Sequence, residues 1–190
     1  MFILKNNYYL YIENIKTLNL NLIKKRNKFI VIYRNNNKHE NINQLKKFRN
    51  ECRKRSIKFY VANDLNAAIS CKADGLYLSS YNKKHYNVKF ISNSLKIIGS
   101  AHSIKEIYEK KKQNCETIVL SRLFKTEYQN KKGHLGIIKF NLMAINFKEK
   151  LIPLGGIRQK NLNSLKFVKS SSLAILSEVK KKPAIIRRLF

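Results

Sequence analysis

Short runs of β-branched, aliphatic and aromatic residues recur along the chain, at Tyr8–Ile12, Phe29–Tyr33, Lys58–Ala62, Gly75–Leu78, Lys96–Gly99, Thr117–Leu120, Leu151–Leu154 and Leu173–Leu176. Their lengths and residue types predict eight strands. Between most of them lie segments with apolar residues at helical spacing, such as Leu45, Phe48 and Cys52 before the third run and Ile104, Ile107 and Tyr108 before the sixth. Runs such as Phe29-Ile30-Val31-Ile32 and Ile118-Val119-Leu120 do not alternate with polar residues. Strands of that kind are buried on both faces, the condition that helices crossing between parallel strands create.

Eight β-α units can close into a barrel, whereas an open doubly wound sheet usually has fewer strands and often carries a glycine-rich phosphate turn after the first. No G-x-G-x-x-G occurs here. The expected fold is therefore α/β, a small (β/α)8 TIM barrel with a parallel eight-stranded core, forming one domain over residues 1–190. The chain is short for such a barrel, so at least one helix should be vestigial, and the Lys-, Asn- and Tyr-rich segment Asn82 to Ser94 is the expected place.

At 44% hydrophobic residues the chain can bury a core, and it has no run near the roughly 18 apolar residues of a spanning helix. Met1 to Leu20 lacks the features of a signal peptide, so the cytoplasm is the expected compartment. Cys52, Cys71 and Cys115 are odd in number and far apart, so they are expected to be buried or on helix surfaces rather than in a disulfide framework or metal site. Lys and Arg number 40 against 11 Asp and Glu, a net charge of +29. The cations are spread along the chain, with clusters such as Lys110 to Lys112 where helices should end, which suits helix C-termini. Solvated helix faces account for them, and association with nucleic acid is the lesser alternative.

In a parallel barrel the functional groups lie just after the strands. After the second strand comes Arg34, either a bidentate phosphate ligand or a solvated loop arginine. After the third, Asn63-Asp64 is suited to holding Mg2+ through oxygen, and Asp64 equally to capping the helix from Leu65. Ser100 and His102 follow the fifth strand; Ser121, Arg122 and Thr126 follow the sixth, with Lys131 and Lys132 further along that loop. His102 fits a rim or helix-start position better than a catalytic base, and His39, His85 and His134 show no metal-ligand spacing. After the seventh strand, Gly155 and Gly156 allow close backbone approach to an anion, and Leu176 and Ser177 end the eighth. A phosphate between these last two loops is the expectation.

Taken in order, Tyr60 to Leu78 (YVANDLNAAISCKADGLYL), Ile98 to Ser103 (IGSAHS), Phe124 to Lys131 (FKTEYQNK), Leu135-Gly136, Pro153 to Ile157 (PLGGI) and Ala174 to Ser177 (AILS) resemble the thiamine-phosphate synthase and TenI superfamily over nearly the whole length. The resemblance implies a transferase that joins a hydroxymethylpyrimidine diphosphate to a thiazole phosphate, giving thiamine phosphate and diphosphate with the help of Mg2+. It implies that Arg34 and Asn63 bind the diphosphate, that Asp64 holds the metal, and that Lys131 is the basic residue of the loop after strand six. Ser100 would face the pyrimidine, while Thr126, Gly156, Leu176 and Ser177 would seat the thiazole phosphate. The partners implied are phosphorylated pyrimidine and thiazole small molecules, with no membrane; a homo-oligomer stays open.

The chain also departs from the family pattern. The family's Gln-x-Arg-x-Lys after strand two reads Ile32-Tyr33-Arg34-Asn35-Asn36, without the lysine. The second metal-binding aspartate falls at Asn82, which keeps an oxygen and loses a charge, so a weakened Mg2+ site is expected. The TenI branch uses a histidine after the sixth strand for thiazole tautomerisation, and Ser121-Arg122-Leu123-Phe124 has none, although His102 and Ser103 resemble that branch's fifth-strand ending. The alternative reading is a catalytically degenerate TenI-like paralogue that binds a thiazole or thiamine phosphate without turnover.

Overall fold

Each predicted apolar run forms a strand, and all eight run parallel in one sheet that curls into a nearly closed barrel. The structure is a computed structural model describing residues 5–23, 26–35, 40–86, 95–126 and 133–175. The strands are β1 (Asn7–Ile12), β2 (Phe29–Tyr33), β3 (Lys58–Ala62), β4 (Gly75–Leu78), β5 (Lys96–Ala101), β6 (Thr117–Ser121), β7 (Lys150–Leu154) and β8 (Ser172–Ile175). Hydrogen-bonded neighbours follow the order β7-β6-β5-β4-β3-β2-β1-β8, which puts the seam between β7 and β8. There the Ser170 hydroxyl lies 2.8 Å from the Leu151 carbonyl and 3.0 Å from that of Ser172, tying the two edges together.

Burial on both faces explains why the strands read as continuous apolar runs. One face points into the barrel, where Tyr9, Tyr60, Ile98 and Ile152 from the odd strands lie below Ile32, Tyr77, Val119 and Ala174 from the even strands. By the same register Tyr11, Ala62, Ser100 and Leu154 form the next layer up, completing the three alternating layers of a packed barrel core. The other face, with Leu10, Val31, Phe59, Leu76, Ile118 and Leu173, packs against the helices. Each such side chain removed from water contributes about 1.5–3 kcal/mol.

The helices are α1 (Ile42–Lys54), α2 (Leu65–Ser70), α3 (Ile104–Lys112) and α4 (Gly136–Asn146). Their inner faces carry Leu45 and Cys52, Ala68, Ile107, and Phe140 and Met143 in turn. Arg53-Lys54 and Lys110 to Lys112 do close α1 and α3, placing cations at the negative ends of those helix dipoles. Cys52, Cys71 and Cys115 are all buried. No helix among the described residues is long and apolar enough to cross a membrane.

The economy in length comes from more than one reduced unit. Between β1 and β2 the described residues form only the 3-10 turns Ile15–Thr17, Leu20–Leu22 and Arg26–Lys28, and between β7 and β8 only Gln159–Asn161 and Asn163–Phe167. Asn14 and Asn19 accept hydrogen bonds from the amides two residues on, which favours tight turns over a continuous helix. In the expected weak unit, residues 83–86 form neither helix nor strand, and the remainder to Ser94 lies outside the described residues.

The Ala-Asp-Gly segment before β4 serves the fold. Asp74 accepts from the Phe59 amide at 2.9 Å and meets Arg49 of α1 at 3.4 Å, joining β3, β4 and the helix between their layers. Gly75 leaves room for the Tyr60 ring, which lies where a side chain at residue 75 would stand.

Candidate active site

Arg34 continues the inward alternation of Ile30 and Ile32, so β2 delivers its guanidinium to the mouth at the strands' C-terminal ends. Its backbone is fixed by a 2.8 Å bond to the Ile12 carbonyl. Its Nε is buried with no hydrogen-bond partner. Buried donors are almost always paired, so Arg34 stands out at the mouth as a cation whose donors the described residues leave unused. It opens onto a cavity of about 500 Å3 also lined by Asn63, Asp64, Tyr81, Lys84 and Tyr86.

Asn63 is the hub of this half of the mouth. It has a φ of +60°, which asparagine tolerates better than most residues, and that turn aims its side chain across to the loop after β4. Its Oδ1 accepts from the Ser79 amide at 2.9 Å and from Asn82 Nδ2 at 3.1 Å, while its Nδ2 donates to the Ser79 hydroxyl and the Tyr81 phenol. Asp64 accepts from the Ala67 amide at 2.9 Å, the N-cap of α2. Asn82 Oδ1 accepts from the Lys84 amide at 2.9 Å.

That loop is clasped from below by α3. Lys110, almost fully buried, donates to the carbonyls of Ser79 and Asn82 and to Gln113 Oε1, each at 2.7 Å. Gln113 Nε2 donates to the carbonyls of Asn82 and Lys84 at 2.9 and 2.7 Å. Burial holds the Lys110 ammonium below the usual lysine range.

Magnesium asks for near-octahedral oxygen ligands, usually one or two of them carboxylates. Here Asp64 is the carboxylate on the cavity and one of its oxygens caps a helix, while the amide oxygens of Asn63 and Asn82 already accept hydrogen bonds. No group of three His, Cys, Asp or Glu able to hold a metal occurs among the described residues. The donor set does not fit a dedicated magnesium site.

The opposite half of the mouth is built by the loops after β6 and β7. Gly155 and Gly156 have φ of +99° and +67°, and a Cβ on Gly156 would lie 2.5 Å from the Phe124 carbonyl oxygen. Glycine lets the two loops touch, with Leu123 and Phe124 donating their amides to the Leu154 and Gly155 carbonyls. The amides of Gly155, Gly156 and Ile157 find no acceptor among the described residues, leaving successive N–H groups available to an anion. Arg122 reaches Thr126 at 3.1 Å beside them.

Between the halves, Ser100 is buried in the upper core layer and hydrogen-bonded to the Tyr77 phenol, which burial pushes above its usual range. His102 sits at the rim just before α3, its amide donating to Glu106 and its Nδ1 2.7 Å from the Ser121 hydroxyl. Arg34, Asn63 and Asp64 thus share one cavity with Asn82 bonded to its edge, and Gly155, Gly156 and Thr126 gather on the other side. Lys131, Leu176 and Ser177 lie outside the described residues.

A family model described as thiamine monophosphate synthase matches residues 6–179. The chain belongs to the thiamine monophosphate synthase family. Within it, the thiamine-phosphate synthase of Prochlorococcus marinus subsp. pastoris is 32% identical over 127 residues, 66% of this chain and 36% of that protein. The thiamine biosynthesis bifunctional protein ThiED of Geobacter sulfurreducens is 28% identical over 157 residues, 81% of this chain and 32% of that protein. The chain therefore spans about a third of the length of these two relatives. Its fold is that of the thiamine phosphate pyrophosphorylase from Pyrococcus furiosus, with a TM-score of 0.70 at 17% identity over 98% of each chain. Phosphoribosyl anthranilate isomerase from Thermotoga maritima shares it more distantly, with a TM-score of 0.63 at 13% identity over 93% and 90%.

Lys84, Tyr81 and the Lys110 clasp were not among the candidates read from the sequence. Lys84 stands in a lysine-rich stretch and gave no contrast. Lys110 carried a readable signal, since it follows Ile107 by three and so shares the buried face of α3.

Proposed function

We propose that this chain is a thiamine-phosphate synthase-type transferase that condenses hydroxymethylpyrimidine diphosphate with a thiazole phosphate. The carrying observation is Arg34, which lines a cavity of about 500 Å3 and whose guanidinium Nε is buried without a partner among the described residues. The opposite half supplies the second anion seat through the backbone amides of Gly155 and Gly156 with Thr126, and Leu176 and Ser177, outside the described residues, are assigned to it by the family resemblance alone. Ser100 faces the pyrimidine from the core layer, and Lys131, outside the described residues, is given its role by the family resemblance alone.

In the reaction the bond between the pyrimidine methylene and the diphosphate oxygen breaks, with its electron pair leaving on diphosphate. The thiazole nitrogen then donates its lone pair to the methylene carbon. Nothing in this chain has to form a covalent bond; Arg34 stabilises charge growing on the leaving group, and the walls align the two rings. The magnesium implied at Asp64 and Asn82 has no dedicated site in this reading. Both substrates carry phosphate and do not cross bilayers unaided, which supports reading the enzyme as sharing their compartment, here proposed to be the cytoplasm.

A second reading, binding without turnover, draws on Asn82, whose amide is engaged within the chain. Incubating the purified chain with both precursors, with and without magnesium, and following thiamine phosphate decides between them. Product that disappears in Arg34→Ala supports synthesis. Tight binding of thiamine phosphate with no product from the unsubstituted chain would overturn it in favour of the second reading.

A further inference from the structure

The orientation of the Asn63 amide is fixed from within. The Ser79 amide can only donate, so the atom it meets at 2.9 Å is the Asn63 oxygen, and the Asn63 nitrogen faces the Ser79 hydroxyl. The atom of residue 82 that lies 3.1 Å from that oxygen must therefore be a donor. An asparagine satisfies this, and a carboxylate would set oxygen against oxygen. Asn82 is thus built into the loop as a hydrogen-bond donor and has not merely lost a metal-binding charge.

Two cations line the same cavity. The side chains of Arg34 and Lys84 make no hydrogen bond or ion pair among the described residues. Lys84 is not simply a loose surface lysine, because its backbone is held on both sides. Its amide donates to Asn82 Oδ1 at 2.9 Å and its carbonyl accepts from the buried Gln113 at 2.7 Å. The elements that would have presented a second metal ligand instead present a lysine whose backbone is held at the cavity wall.

We propose that Lys84, together with Arg34, supplies the positive charge at the diphosphate subsite, so that this pocket binds a diphosphate without a metal ion. The inference rests on the reading of the cavity as a diphosphate-ester site. A fixed guanidinium offers paired N–H donors to phosphate oxygens, and an ammonium adds a compact charge with three donors. Asp64 is the one acid on the cavity wall among the described residues, so the charge they place there favours an anion.

The test is calorimetric titration of the full chain with inorganic diphosphate, once in EDTA and once with magnesium. The expected affinities agree within about threefold, and Lys84→Met weakens both about tenfold, equivalent to ~1.4 kcal/mol. Lys83→Met, at a residue exposed like Lys84 but not lining the cavity, leaves them unchanged. Circular dichroism of the variants shows that each is folded. Diphosphate binding that requires magnesium and ignores Lys84→Met would overturn the inference while leaving the diphosphate-ester reading intact. No binding in either buffer would overturn both.

Discussion

Gly99 and Lys110 compete for one volume. A Cβ on Gly99 would lie 2.8 Å from Cδ of Lys110, so the bare backbone of β5 is the passage through which a helix residue reaches the loop after β4. Lys110→Met keeps the aliphatic stem and removes the ammonium, leaving the Ser79 and Asn82 carbonyls and the Gln113 amide oxygen without that donor. The expected loss is about 3 kcal/mol by urea denaturation, because unsatisfied buried acceptors are costly. Lys112→Met on the exposed side of the same helix should change stability by no more than about 0.5 kcal/mol. Equal effects at the two positions would show that the clasp is not a structural element.

Alkaline pH should reveal how dry the barrel interior is. Burial pushes Tyr9 up to about 12, raises Tyr11, Tyr60 and Tyr77, and pushes the Cys52 and Cys115 thiols up to about 12. These acids bind protons more tightly folded than unfolded. Their contribution is complete below the ordinary values of 9.0 for cysteine and 10.0 for tyrosine, and it is lost as pH rises toward 12. Stability should therefore fall from about pH 9 upward. Tyrosinate absorbance should show the four interior rings ionising only with loss of the far-ultraviolet signal. Smooth ionisation of all ten tyrosines in a protein that stays folded would contradict the buried layers.

The strands were legible because burial on both faces removes polar alternation, and Phe29–Tyr33, Lys58–Ala62 and Gly75–Leu78 are observed with the expected bounds. The eighth run, expected at Leu173–Leu176, is seen as Ser172–Ile175. The connections were harder to read, since the leucines and isoleucines from Ile15 to Ile23 look helical until Asn14 and Asn19 capture the turns.

At the site, legibility followed the contrast between a residue and its surroundings. Arg34 stood out at the end of an apolar strand. Lys84 did not stand out in a chain with 40 Lys and Arg, where one more lysine carries no information until the fold shows which cavity it lines. The asparagines at 63 and 82 could be read as ligands by type, but type alone does not show that their oxygens already have donors.

Glycine at 156 is required by a contact, and glycine at 133 by backbone conformation alone. Both have positive φ, but a Cβ on Gly133 would meet nothing within 4 Å, while one on Gly156 would press on the Phe124 and Lys125 carbonyls. Gly133→Ala should cost about 1 kcal/mol from strain. Gly156→Ala should cost about 2–3 kcal/mol and also raise the KM for the phosphorylated acceptor, because it pushes apart the loops that carry the free amides. Thermal unfolding with steady-state kinetics separates the two, and an unchanged KM in Gly156→Ala would remove the anion seat from that turn.

Asp64 offers the sharpest division between a structural and a metal-binding role. As the N-cap of α2 it accepts from the Ala67 amide, a task that serine performs nearly as well. Asp64→Ala should therefore cost about 1 kcal/mol of stability, and Asp64→Ser only a few tenths. If Lys84 and Arg34 carry the charge at the cavity, Asp64→Ser should also leave diphosphate affinity in EDTA unchanged or slightly stronger, since it removes a negative charge from the cavity wall. A metal-ligand role predicts the reverse, a loss of magnesium-supported binding in both variants regardless of their stability. Parallel denaturation and titration of Asp64→Ser and Asp64→Ala distinguish the two: loss of binding in the serine variant at retained stability would return Asp64 to the metal.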